Sequence, residues 1–110
     1  MPHPVRLSSL AALDLQRARD WLDTQEPGLG DTFLDEVNDT VARIAQNPNQ
    51  YPIKLADLHR ALVHKFGYGV WYRVLPDESI VVACLSERRD LELVRRRSLK
   101  PRRLALRRPR

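Results

Sequence analysis

The chain changes its hydrophobic period once, near residue 50. Before that point apolar residues recur at helical spacing; after it they run in short blocks bounded by Gly and Pro. Ala11, Leu15, Ala18 and Leu22 share one stripe, which Trp21 widens, while Asp14, Arg17, Asp20 and Asp23 fall largely on the other side. Ser8 or Ser9 can accept from the free amides of a first turn, so a helix is predicted from there to Pro27-Gly28. Pro27 cannot continue the helix, and Gly28 takes a positive φ at no steric cost. A second stripe of Phe33, Val37, Val41 and Ile44, with Leu34 and Ala45 beside it, predicts a helix over 30–46. Asp31, Asp35 and Glu36 lie near its start, where the helix dipole favours anions, and Asn47-Pro48 stops it. Two helices joined this tightly form an αα-hairpin, and each still needs a third surface for its stripe.

That surface is a sheet. Residues 4–7 (PVRL) predict a short first strand, confined to an edge or a strand start by Pro2 and Pro4. Residues 48–58 predict a loop anchored by Tyr51. Three strands follow at 60–66, 70–75 and 80–85, separated by Gly67-Tyr68-Gly69 and by the turn Pro76-Asp77-Glu78-Ser79. In the middle one Val70, Tyr72 and Val74 share a face, and Trp71, Arg73 and Leu75 share the other. The last, IVVACL, is almost wholly apolar and β-branched, which predicts a central strand buried on both faces. The expected fold is α+β: a small antiparallel sheet with an N-terminal αα-hairpin packed on one face, in the order β-α-α-β-β-β.

A length of 110 residues implies one folded unit. Residues 95–110 differ from the rest: they carry nine Lys/Arg and no acid, and Pro101 and Pro109 oppose a continuous helix. The expected organisation is a domain over 1–94 and a basic C-terminal tail over 95–110. No apolar run reaches the roughly 20 residues that span a bilayer, and Arg6, Asp14 and two prolines interrupt any signal-peptide core. Cys84 is the only cysteine and is expected in the core. These features place the chain in the cytoplasm, with no membrane partner. Charge is uneven: residues 1–52 hold four Lys/Arg and eight Asp/Glu (−4), and residues 53–110 hold fifteen and six (+9). A basic half opposite an acidic one points to a polyanionic or acidic partner.

The candidate chemistry lies in the arginines on and around the strands: Arg60, Arg73, Arg88 and Arg89, with Lys65. If the helices cover one face of the sheet, Arg73 and Trp71 face outward on the open one. A basic patch with aromatics suits RNA, where bases stack and phosphates meet guanidinium, and equally suits an acidic peptide. Arg73 can instead simply pair with a carboxylate. His3, His59 and His64 have no metal-ligand spacing, and no P-loop, dinucleotide fingerprint or nucleophile elbow occurs, so no metal and no cofactor is expected.

The local wording adds a resemblance. The turn Gln25-x-Pro27-Gly28-Leu29-Gly30, the helix start Phe33-Leu34-x-Glu36-Val37 and the close Asn47-Pro48-x-x-Tyr51-Pro52 resemble the helical hairpin of the RelE/ParE toxin superfamily of type II toxin–antitoxin modules. Arg60 with Leu62, Phe66-Gly67-Tyr68, Tyr72-Arg73-Val74 and Arg88-Arg89-Asp90 match its strand block and the arginine stretch after it. The resemblance spans 4–93 and is more ParE-like than RelE-like. It implies a plasmid-stabilisation type of toxin that inhibits growth. A cognate antitoxin neutralises it, and the pair contacts operator DNA only through that antitoxin. RelE-like members cut mRNA on the ribosome; ParE-like members inhibit DNA gyrase and are not nucleases. On that resemblance the candidate catalytic positions are Arg60, Arg73 and Arg89, none of them assigned, while the residues themselves offer Lys65, Trp71, Arg73, Arg88 and Arg89 for target or antitoxin binding. No Tyr follows Tyr72, and Ser86 stands where many relatives carry His. Arginine holds phosphate well but carries protons poorly, so the expectation leans to a gyrase inhibitor rather than an RNase. A plain basic nucleic-acid-binding module is a further alternative.

Overall fold

The computed structural model describes residues 3–87 and 93–98. Strand β1 (Val5–Leu7) leads into α1 (Ser9–Gln25) and α2 (Leu29–Gln46). Then come β2 (Ile53–Leu55), β3 (Leu58–Val63), a 3-10 turn (His64–Phe66), β4 (Tyr68–Val74) and β5 (Ser79–Ser86). Residues 93–98 form a third helical segment.

Local chemistry explains the hairpin. Ser8 caps α1 by accepting the Ala11 amide through its hydroxyl at 3.1 Å. Gly28 turns the chain with φ +90°, where a Cβ would be strained. The helices close tightly at Gly30, whose amide donates to Asp23 Oδ1 at 2.8 Å. A Cβ there would stand 2.5 Å from the Arg19 carbonyl oxygen.

The sheet runs β1-β5-β4-β3-β2. The pairs β2–β3, β3–β4 and β4–β5 are antiparallel, as the sequence predicts, whereas β1 lies parallel to β5, with Val5 opposite Ser79. The parallel edge follows from the hairpin, which returns the chain to the far side of the sheet before the last strands form. β5 lies one place from the edge and β4 is central. The short β2 lies inside the predicted loop, and residues 64–66 turn away as a 3-10 segment instead of extending β3.

Both faces of the sheet are covered. On one, Ala11, Ala18, Leu22, Phe33, Val37 and Ile44 of the helices pack on Val63, Val70, Tyr72, Val81 and Cys84. The other is not open as expected. Leu58, Trp71, Val82, Ala83 and Leu85 bury a second cluster under Val94, with Leu93 beside it. Val82 and Ala83 share this face because β5 carries one extra residue between the pairs Trp71↔Ala83 and Tyr72↔Val81. The basic stretch from Arg95 therefore begins in a packed helical segment, in which Val94 and Ser98 are buried. Residues 99–110 lie outside the described residues.

Candidate functional site: the arginine face of the sheet

Alternation along β3 and β4 places Arg60, Trp71 and Arg73 on the second face. Arg60 and Trp71 are direct cross-strand partners, and the Arg60 guanidinium carbon lies 5.7 Å from the Trp71 ring centre. Gly69 makes room for the Arg60 stem: a Cβ at 69 would stand 3.1 Å from Arg60 Cδ. Arg60 Nε is buried without a hydrogen-bond acceptor. Beside it lies a recess of ≈ 20 Å³ lined by Gly69, Trp71, Leu85, Ser86, Glu87 and Val94.

Arg73 is engaged differently. Its Nε donates to Asp57 Oδ2 at 2.7 Å and its Nη2 to Asp57 Oδ1 at 3.0 Å, a two-point clasp on the β2–β3 turn. The same Nη2 donates to the Ser98 carbonyl at 2.9 Å, so Arg73 also holds the 93–98 segment. Lys65 stands apart, in the 3-10 turn, exposed and 3.9 Å from the half-buried Glu36 of α2. Arg88 and Arg89 lie outside the described residues. The sequence-derived set thus divides: Arg60, Trp71 and Arg73 share a face, and Lys65 does not join them.

Tyr72 and His59, both able to carry a proton, lie on the helix-covered face opposite Arg60 and Arg73 and are built into the sheet, whereas Glu87 lines the Arg60 recess. The Tyr72 hydroxyl donates to the Pro48 carbonyl at 2.6 Å, and burial, with Tyr51 nearby, pushes its pKa up to about 12. His59 stacks on Tyr72, ring centres 5.0 Å apart, with Nδ1 2.7 Å from the Tyr51 carbonyl oxygen.

Sequence reasoning misplaced Asp14. It lies on the buried side of α1, not the polar one. Its carboxylate accepts the Cys84 amide at 2.9 Å, Arg97 Nη1 at 2.6 Å and Arg97 Nη2 at 3.2 Å, while Arg97 Nη1 also reaches the Val82 carbonyl. A signal was present: Ala11, Asp14, Ala18 and Leu22 are themselves spaced as a stripe. Trp21, expected to widen that stripe, is 56% exposed and borders an open groove past Phe66, Tyr68, Ser86 and Leu93. Cys84 is buried as expected, and burial, reinforced by the Asp14 charge, raises its thiol to about 12.

Among the described residues no helix is long and apolar enough to cross a membrane, and no group of His, Cys, Asp and Glu gathers as metal ligands.

The model for the ParE toxin of the type II toxin–antitoxin system parDE matches residues 5–91. The chain belongs to the ParE toxin family. A chain of the chromosomal ParDE TA system from P. aeruginosa has the same fold, with a TM-score of 0.69 at 16% identity, over 76% of this chain and 95% of that one. No curated protein matches. The matched stretch takes in all five strands and both long helices, and Val94, Arg97 and Ser98, which complete the second face, fall beyond it. As a ParE-family toxin, the chain has the mostly antiparallel α+β fold that the sequence predicts.

Proposed function

We propose that this ParE-family toxin arrests growth by binding and inhibiting DNA gyrase, acts in the cytoplasm, and is held silent by a cognate antitoxin. The family assignment supports the toxin role and the antitoxin. One observation favours a binder over an RNase. His59 and Tyr72, next to Arg60 and Arg73 along the strands, lie on the helix-covered face, buried and hydrogen-bonded to backbone carbonyls, and among the described residues lining the Arg60 recess only Glu87 is an ordinary proton carrier. RNA cleavage needs a base and an acid at the scissile phosphate. Arg60, whose guanidinium lies over the buried Trp71 ring, can instead hold a partner by charge, which needs no proton transfer.

Purified protein added to a gyrase supercoiling assay should block supercoiling, and transcripts in cells arrested by a pulse of the protein should keep their ends. New transcript ends within translated codons, with gyrase untouched, would replace this reading by ribosome-dependent mRNA cleavage. Salt-sensitive binding to any nucleic acid without growth arrest would replace it by a plain nucleic-acid-binding role.

A further inference from the structure

Helix α1 is apolar on two sides. Ala11, Ala18 and Leu22 pack into the core, while Trp21 and Leu13 stand out to solvent, 56% and 39% exposed. α2 beside it exposes only small or polar side chains. A surface helix normally carries one apolar stripe, so the second on α1 marks a contact face. Between its two apolar side chains this face carries one cation and one anion, Arg17 and Asp20, both exposed. Among the described residues neither has a hydrogen-bond or ion-pair partner, unlike Arg19 of the same helix, which is held by Asp31.

The order of these groups is self-complementary. Residues three, four and seven apart share one side of a helix, so Leu13, Gln16, Arg17, Asp20, Trp21 and Thr24 lie along one strip. A second copy can lie antiparallel on this strip, with the twofold axis between Ala18 and Arg19. Arg17 then meets the second copy's Asp20, and Asp20 meets its Arg17. Trp21 lies on the stem of its Gln16, and Leu13 on the methyl of its Thr24. The Thr24 hydroxyl already donates to the Trp21 carbonyl, so it enters that contact satisfied. A parallel pairing would set Arg17 on Arg17 and Asp20 on Asp20, which repulsion disfavours. A partner of one charge sign would leave either Arg17 or Asp20 uncompensated, whereas a second copy answers both.

We infer that the outer strip of α1 is the contact face of a symmetric, antiparallel dimer of this chain. The inference goes beyond the gyrase reading and does not depend on it. The exposed ion pairs add little affinity but set the register, and burial of Trp21 and Leu13 supplies the rest. One helix from each copy makes less than a standard interface, so association is weak, half complete at about 10–100 µM. α1 covers the face of the sheet opposite Arg60, Trp71 and Arg73, so pairing through α1 leaves that side of both copies outward.

Sedimentation velocity of the full chain from about 1 to 300 µM tests this. The unaltered chain should pass from monomer to dimer across the range. Arg17→Asp or Asp20→Arg alone sets like charges together twice and should weaken association at least about tenfold. The two substitutions together exchange the charges and should restore association to within about threefold. Trp21→Ala should weaken it about tenfold through lost burial. These side chains are exposed, so circular dichroism should show each variant folded. A chain that stays monomeric throughout, a dimer that Arg17→Asp leaves intact, or an exchange that fails to restore association would overturn the inference. A monomer would leave the Trp21 face to a different partner. The measurement contains neither gyrase nor antitoxin, so its failure would leave the supercoiling result standing.

Discussion

Asp14 and Arg97 form the most consequential pair of residues in the described structure. Their side chains are 4% and 11% exposed, and the aspartate also accepts the Cys84 amide. Removing one partner of such a pair leaves a buried charge without its counter-ion, so Arg97→Ala should cost about 3 kcal/mol in urea unfolding. Arg97→Ala combined with Asp14→Ala should cost less than the two single changes added, the mark of direct coupling. Cys84 tests the same neighbourhood chemically. Its raised pKa and burial predict that a thiol reagent labels it only at the rate of unfolding at pH 8. The pH dependence follows from Cys84 and Tyr72 together. Both are acids with ordinary values of 9.0 and 10.0 and folded values of about 12. The unfolded chain therefore releases these protons first as pH rises, so stability should be fully present below pH 9 and fall between 9 and 12. Chemical denaturation at stepped alkaline pH reads this, and Cys84→Ala should flatten part of the slope. The pairing of Asp14 was only half legible: its position on the stripe was readable, but its partner lies 83 residues away and no local pattern joins them.

At the scale of elements, the hairpin is the part that the sequence specifies best. Its stripes, its serine cap and the Pro27-Gly28 break each act within a few residues. Gly30 lies hard against the Arg19 carbonyl, so Gly30→Ala should push the helices apart and lower stability by about 2 kcal/mol, seen as a shift in the thermal midpoint. The sheet was less legible where its features are non-local. Ile53-Lys54-Leu55 is too short for a period to show, and it becomes a strand only because β3 pairs with it. The extra residue in β5 is hidden because every side chain in Ile80-Val81-Val82-Ala83-Cys84-Leu85 is apolar, so no polar position marks the change of face. For the candidate site, alternation along β4 correctly put Trp71 and Arg73 on one side, but nothing local said that Leu58 and Val94 would cover it.

Across the whole molecule, the segment at 93–98 completes the fold. It supplies Val94 to the second cluster, Arg97 to Asp14 and the Ser98 carbonyl to Arg73. Removing residues 93–110 should therefore shift Trp71 emission to the red, by exposing its ring, and destabilise the protein by several kcal/mol, on the order of the buried pair and one buried valine together. Any loss of growth arrest in that variant would reflect loss of the folded face, so circular dichroism belongs beside the activity measurement.

The parallel pairing of Val5 with Ser79 has a consequence for how the toxin is made. The first strand to be synthesised waits for the last before it has a neighbour, and Asp14 waits longer still, for Arg97. Contacts this distant in sequence form late and slowly. A ribosome translating this chain thus allows the sheet to close only after Ser86 has emerged. Until then Arg60, Trp71 and Arg73 are not gathered on one completed face.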